Sequence, residues 1–247
     1  MTMSAAAFVS DLHLCPTRPA ATRTFLAFLE ALPKQADTLY ILGDLFDYWA
    51  GDDDLGEPFN ASVAAAMARL AQQGTQIVLL AGNRDFLLGP GFAGASAATV
   101  VSEPYLATVC GKPTLMLHGD SLCTNDQTYQ DFCREVRSTA WREAFLARPL
   151  AERHSEIETM RARSEEQKRA KPAAIMDVAN DAVDAMLRQY GYPRLVHGHT
   201  HRSGRHEHVV DGHSCERWVL GEWYEAGNYL LCDASQCRLL PWPPQGK

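Results

Sequence analysis

The sequence predicts an α/β fold built on a largely parallel sheet, and three observations carry that expectation. Short apolar runs of strand length alternate with longer segments whose apolar residues recur at helical spacing. Five of the runs are each followed directly by a polar cluster containing Asp, Asn or His, with a glycine in four of the five. In a parallel sheet the ligand site lies outside the carboxyl ends of the strands, so five strand-end clusters describe one edge.

The elements follow in order. Residues 5–9 (AAAFV) form a short strand ending in Ser10-Asp11-Leu12-His13, where Asp11 and His13, two positions apart, can face one site. Residues 22–32 carry Phe25, Leu26, Phe28, Leu29 and Leu32 at helical spacing and stop at Pro33, which makes them a covering helix. Residues 38–42 are a buried type of strand running into Gly43-Asp44-Leu45-Phe46-Asp47. Residues 51–57, with Asp52, Asp53 and Asp54 in succession, read as a solvated loop rather than a ligand set. A helix over 59–73 is closed by Gly74, and residues 76–80 form a third strand that delivers Ala81-Gly82-Asn83-Arg84-Asp85. Residues 114–117, after the turn Gly111-Lys112-Pro113, make a fourth strand ending in His118-Gly119-Asp120. A long amphipathic helix is expected over 173–190, then a fifth strand at 194–196 and the stretch His197-Gly198-His199-Thr200-His201. The β-like pieces at 209–210, 217–220, 228–232 and 238–240, around a turn at Asp211-Gly212, read as a second sheet.

Composition narrows the function classes. With 247 residues and 46% hydrophobic content, the chain suits one large domain over 1–247, or one domain with an insertion. A net charge of -7 argues against a nucleic-acid partner, which calls for a dominant basic surface. The seven cysteines are odd in number, scattered and without a CxxC pair, so a disulfide framework or a thiolate zinc site is not expected and the chain reads as cytoplasmic and reduced. The first residues lack a basic leader, and no apolar run reaches the ~18 residues of a membrane span.

Singly, each polar cluster could be a helix cap or a packed polar residue. Together they supply Asp11, His13, Asp44, Asn83, His118, His199 and His201, an oxygen and nitrogen set with no sulfur. Seven ligands are too many for one tetrahedral ion. A shared carboxylate lets two divalent cations sit ~3.5–4 Å apart, and such a pair can hold a bridging hydroxide and clamp a phosphoryl group. Mixed carboxylate, amide and imidazole ligation suits octahedral Mn or Fe better than structural zinc.

The fragments DLH, GDLFD, GNRD, HGD and HGHTH, in this order, resemble the calcineurin-like metallophosphoesterases across essentially the whole chain. The fuller stretches SDLHLCP, YILGDLFDYWAGDD, GNRDFLLG, HGDSLCTND, AIMDV and HGHTHR resemble the branch of that superfamily that acts on a lipid-linked nucleotide of the lipid A pathway. The resemblance implies a four-layer αββα sandwich of two mixed β-sheets flanked by helices, and a centre of two Mn ions. One metal would take Asp11, His13, Asp44 and His201, the other Asp44, Asn83, His118 and His199. It implies hydrolysis of UDP-2,3-diacylglucosamine to UMP and 2,3-diacylglucosamine 1-phosphate, by attack of the bridging hydroxide on the nucleoside-side phosphorus. Asp44, Asn83 and Arg84 would be the catalytic residues. Asn83, Arg84, Asp126, Ser164, Lys168, Lys171 and His199 would lie against the polar head of the substrate.

At Arg84 the chain departs from the broader superfamily, whose usual motif is GNH followed by an acid. Arginine cannot donate a proton at neutral pH, but its planar fork matches phosphate oxygens. A leaving group that is itself a phosphate monoester suits that exchange. Between Arg134 and Lys171 ten Lys or Arg face seven Asp or Glu, a net +3 that leaves -10 for the rest of the chain. With Phe132, Val136, Trp141, Phe145, Leu146, Leu150, Ile157 and Met160 interleaved at helical spacing, residues 121–172 are expected to form a helical lid, which the resemblance places over acyl chains. A basic, partly apolar lid could also hold the chain on the cytoplasmic face of an anionic inner membrane, with no obligate protein partner. Two other readings stand beside this one: an esterase for a soluble nucleotide, such as a cyclic-nucleotide phosphodiesterase, and a non-catalytic protein-binding scaffold. Decay to a scaffold should have erased ligands, and all seven are present.

Overall fold

The apolar runs that precede the polar clusters are buried on both faces, and alternate side chains along them feed different cores. The computed structural model describes residues 5–170, 175–224 and 226–244. Their strands and helices are β1 Ala6–Val9, α1 Pro19–Ala31, β2 Thr38–Leu42, α2 Pro58–Gln72, β3 Gln76–Leu80, α3 Pro90–Ser96, β4 Thr99–Val101, β5 Tyr105–Val109, β6 Lys112–Met116, α4 Gln127–Val136, α5 Thr139–Leu146, α6 Leu150–Ala170, α7 Asn180–Gln189, β7 Arg194–His197, β8 Gly204–Val210, β9 His213–Val219, β10 Gly227–Cys232 and β11 Cys237–Trp242.

Two mixed sheets result, in the orders β11-β10-β1-β2-β3-β4 and β5-β6-β7-β9-β8. Ala7, Val9, Leu39, Ile41, Ile77 and Leu79 pack on one side of the first sheet against Phe25 and Phe28 of α1 and Val63, Met67 and Leu70 of α2. Their neighbours Phe8, Tyr40, Leu42 and Leu80 turn the other way and meet Met116, Val196 and Trp218 of the second sheet. On the far side of that sheet, Leu115 and Leu195 pack on Val183 and Leu187 of α7. Strands buried on both faces read as continuous apolar runs, which is why β1, β2 and β3 were legible. Each fully buried Leu or Phe contributes about 1.5–3 kcal/mol. The layers are therefore helix, sheet, sheet, helix.

Several expectations need correction. The five clusters do not share one sheet: β1, β2 and β3 come from the first, β6 and β7 from the second. The C-terminal pieces divide as well, since β8 and β9 join the second sheet while β10 and β11 extend the first through antiparallel pairing of β10 with β1. Such pairings are long-range and leave no local mark. The helix expected over 173–190 begins only at Asn180. Residues 175–179 are drawn into other contacts, with the Ala179 N–H donating to the Leu122 carbonyl at 2.9 Å and Asp177 pairing with Arg202. Ala173 and Ala174 lie outside the described residues. The acidic stretch is not a solvated loop but a 3-10 helix, Asp52–Gly56, with Asp54 buried. Asp52 accepts the backbone N–H of Gly89 at 3.0 Å and of Gly91 at 2.6 Å. Finally, Cys232 and Cys237 form a disulfide, because the β10–β11 register sets them opposite each other.

Residues 127–170 form three helices, α4, α5 and α6. Their fastening to the body is ionic as well as apolar. Arg153, buried in α6, donates to Asp53 Oδ1 at 2.9 Å and to the Ala50 carbonyl, His154 meets Asp54 at 3.0 Å, and Arg161 pairs with Asp47.

Candidate metal centre

Five of the seven ligand candidates stand in the left-handed backbone region: Asp11 (φ 56°), His13 (47°), Asp44 (53°), His199 (66°) and His201 (57°). Non-glycine residues enter it seldom, Asp and His more readily than others, and such conformations cluster where a site must be built. They re-aim the chain as it leaves β1, β2 and β7, so that successive polar residues reach one point. Hydrogen bonds hold the loops there: the N–H of His13 donates to the Asp44 carbonyl at 2.9 Å, and that of Gly198 to the His118 carbonyl at 2.7 Å. Gly198 has no substitute at this crossing, since a Cβ would run into Ser10 Oγ and Asp11 Oδ2.

Side chains from all five clusters converge. Asp44 Oδ2 lies 3.8 Å from His13 Nδ1 on one side and 3.6 Å from His118 Nε2 on the other. His201 Nε2 is 3.2 Å from Asp11 Oδ1, and Asn83 Oδ1 is 2.9 Å from His118 Nε2 and 3.0 Å from His199 Nδ1. Asp11, His13 and His201 can offer ligand atoms within 4.8 Å of one another, as can Asp11, Asp44 and His118. In His118 and His201 the second ring nitrogen is engaged elsewhere, which leaves the inward one for ligation. His118 Nδ1 donates to the Leu42 carbonyl at 2.9 Å, and His201 Nδ1 meets Glu222 Oε2 at 2.6 Å.

The donor set fits divalent cations. Among the described residues both ring nitrogens of the buried His13 have no hydrogen-bond partner, a costly condition unless an ion meets them. Burial pushes the His13 imidazole down to about 2 and that of His199 down to about 3, so both are neutral ligands at physiological pH. Burial drives Asp44 up to about 7, with Asp85 and Asp11 adding to the rise. His118, unlike His13 and His199, is raised, to about 9, because Asp44, Asp11, Asp120 and Glu103 outweigh its burial. Protons held between crowded carboxylates and imidazoles are what divalent charge would displace.

Around the centre lies a polar pocket of about 290 Å³, lined by Asn83, Arg84, Asp126, Ser164 and His199 among others. An apolar chamber adjoins it, walled by Trp49, Phe86 and Leu87 of the body and by Phe132, Val136, Trp141, Phe145, Ile157 and Met160 of α4–α6. Asn83, Arg84, Tyr129 and Ser164 border both spaces. Asp126 also caps α4, accepting the Tyr129 N–H at 3.2 Å. Lys171 and the side chain of Lys168 lie outside the described residues.

Four residues of the site escaped the sequence reading. Asp85 receives backbone N–H groups from both the Asp44 and the Gly82 loops, and Glu222 orients His201. Glu103 accepts the His118 N–H at 2.7 Å, and Tyr129 stacks on the His199 ring with centroids 5.9 Å apart. Asp85 was visible within GNRD, though not its role, whereas Glu103, Tyr129 and Glu222 carry no local signal.

The calcineurin-like phosphoesterase family model matches residues 6–203, and that fold family uses divalent metal. A UDP-2,3-diacylglucosamine hydrolase of Aromatoleum aromaticum is 51% identical over 93% of this chain and 94% of its own length. Proteins of the same name from Aeromonas hydrophila, 43% identical over 94% and 96% of the two chains, and Pseudomonas paraeruginosa, 42% identical over 96% and 98%, align as fully. The shared chain length, the family match and the converging side chains have one reading: this chain belongs to the calcineurin-like phosphoesterases and, within them, to the family of the UDP-2,3-diacylglucosamine hydrolases.

Proposed function

We propose that this chain hydrolyses the pyrophosphate bond of UDP-2,3-diacylglucosamine, releasing UMP and 2,3-diacylglucosamine 1-phosphate. The observation that carries the reading is the junction at Asn83, Arg84, Tyr129 and Ser164, shared by an apolar chamber and a polar pocket that is lined by His13, Asp44, Asn83, His199 and His201. A lipid-linked nucleotide has the same division, with its pyrophosphate between a nucleoside and two acyl chains. A soluble cyclic nucleotide has no use for the chamber.

Two Mn ions are the proposed occupants, one on Asp11, His13, Asp44 and His201, the other on Asp44, Asn83, His118 and His199, with Asp44 shared. Bound there, they supply an activated water for the nucleoside-side phosphorus and offset charge on the phosphoryl oxygens. Asp44 holds the site together, since its Oδ1 accepts the Arg84 N–H at 2.8 Å while Oδ2 lies between His13 and His118. Arg84 clamps phosphate oxygens, and Asn83 and His199 position the group under attack. Asp126, Ser164, Lys168 and Lys171 lie against the polar head of the substrate. The departing 1-phosphate leaves as a monoester and needs no proton from the protein.

Residues 121–172 serve as the lid within a single domain, with α4–α6 sheltering the acyl chains. No helix among the described residues is long and apolar enough to cross a membrane. The basic, partly apolar lid supports peripheral attachment to the cytoplasmic face of the inner membrane.

Comparing the diacylated substrate with UDP-N-acetylglucosamine, with and without Mn, tests the proposal. Each buried methylene contributes ~0.8 kcal/mol, discounted for partial shelter in detergent and for lid ordering. A residual ~4 kcal/mol is close to a thousandfold, so a preference of at least about a hundredfold in kcat/KM is expected for the diacylated substrate. Comparable efficiencies would sink the lipid reading.

A further inference from the structure

Behind the metal loop, on the α7 side of the second sheet, runs a chain of side chains that the reaction does not use. His197, the last residue of β7, is fully buried, and its Nδ1 lies 2.9 Å from the Gly198 carbonyl. Its Nε2 is 3.1 Å from Nη1 of Arg217 on β9, which pairs in parallel with β7. Arg217 Nε donates to His208 Nε2 at 3.0 Å, and His208 Nδ1 lies 3.2 Å from Asp184 Oδ1 on α7. Among the described residues no carboxylate pairs with the Arg217 guanidinium.

The donor count fixes every proton in this chain. Guanidinium carries five N–H donors and no acceptor, so the Nε2 of both His197 and His208 must accept. Each imidazole then carries its proton on Nδ1: His208 donates to Asp184, and His197 donates to the Gly198 carbonyl. That carbonyl and the His199 N–H belong to one peptide, Gly198–His199, so fixing the carbonyl fixes the direction of the N–H. The His199 N–H donates to Asp11 Oδ2 at 2.9 Å, while the preceding peptide, His197–Gly198, is held separately by its N–H donating to the His118 carbonyl at 2.7 Å.

We propose that His197 and Arg217 are positioning residues for the metal centre: Arg217 locks the tautomer of His197, and His197 fixes the Gly198–His199 peptide so that His199 and Asp11 are held for divalent cations. The inference rests on the metal reading above. Outer partners that orient ligands typically govern affinity by about ten- to a hundredfold when removed.

The test is Mn²⁺ binding by the full-length chain, followed by electron paramagnetic resonance and competition with a chelating dye, alongside circular dichroism and thermal unfolding. His197→Phe keeps the ring volume and loses both hydrogen bonds. His197→Asn loses volume but keeps an N–H donor near the place of Nδ1. Positioning predicts that the Phe variant loses about ten- to a hundredfold in affinity for the ion held by His199, and that the Asn variant lies closer to wild type. A purely packing role predicts the reverse order, and that result would overturn the proposal. Should His197→Phe not fold, His208→Ala, at the outer end of the chain, is expected to give a smaller loss of the same kind, and unchanged affinity there would also overturn it. Wild-type protein that binds no Mn²⁺ would overturn the metal reading itself, whereas two ions bound equally well by wild type and a folded His197→Phe would overturn only this one.

Discussion

Asp85 Oδ2 accepts the backbone N–H of Leu45 at 2.7 Å, and by that bond the loop after β3 holds the loop after β2. The same carboxylate takes the N–H groups of Phe46 at 3.3 Å, Asp44 at 3.2 Å and Gly82 at 2.7 Å, and it is fully buried. The two loops that present Asp44 and Asn83 thus share one anionic acceptor. Asp85→Ala leaves those N–H groups unpaired in the interior, at about 1–3 kcal/mol for each that finds no water. A total loss of roughly 3–5 kcal/mol in urea unfolding is expected, with metal binding lost as well. A loss below ~1 kcal/mol would show that the clasp is dispensable.

Asp44→Asn removes the negative charge from the oxygen midway between His13 and His118 while keeping its shape. Turnover should vanish with the thermal transition little changed. Chelation should likewise silence the wild type, reversibly on adding Mn²⁺. Near-full activity in a sample shown by elemental assay to be metal-free would refute the two-metal mechanism.

Arg84 borders both the polar pocket and the apolar chamber. A lost charge-assisted phosphate contact of ~3–4 kcal/mol in the transition state corresponds to roughly 10²- to 10³-fold in rate. Arg84→Ala should lose about that much in kcat on the lipid nucleotide, with metal content unchanged. Activity within a few-fold of wild type would remove Arg84 from its assigned role.

Trp141 of α5 stacks on Phe145 at 4.6 Å between centroids and lies 6.0 Å from Phe86 of the body, so it forms part of the chamber wall. Trp141→Ala should lower kcat/KM for the diacylated substrate by about tenfold or more, equivalent to ~1.4 kcal/mol of lost apolar contact, and leave hydrolysis of an unacylated UDP-sugar unchanged. Equal losses on both substrates would point to a damaged centre rather than to the acyl chains.

The sequence by itself determined the elements whose information is local. Thr38–Leu42 and Gln76–Leu80 are apolar on every residue but the first, and a strand buried on both faces can be read directly from such a run. All seven ligand candidates were legible because each follows a strand end, and their oxygen and nitrogen chemistry indicated divalent metal before any geometry. Tertiary structure alone decided which sheet each strand joined, because β10 pairs with β1 across more than two hundred residues and no periodicity records that choice. It also decided that Asp52, Asp53 and Asp54 are anchors: their partners are Gly89, Gly91, Arg153 and His154, brought near only by folding. Asp85, Glu222 and the Arg217–His197 pair are of the same kind. Their roles consist of hydrogen bonds to groups distant in sequence, and the direction in which a buried donor or acceptor points exists only once the chain has closed around it.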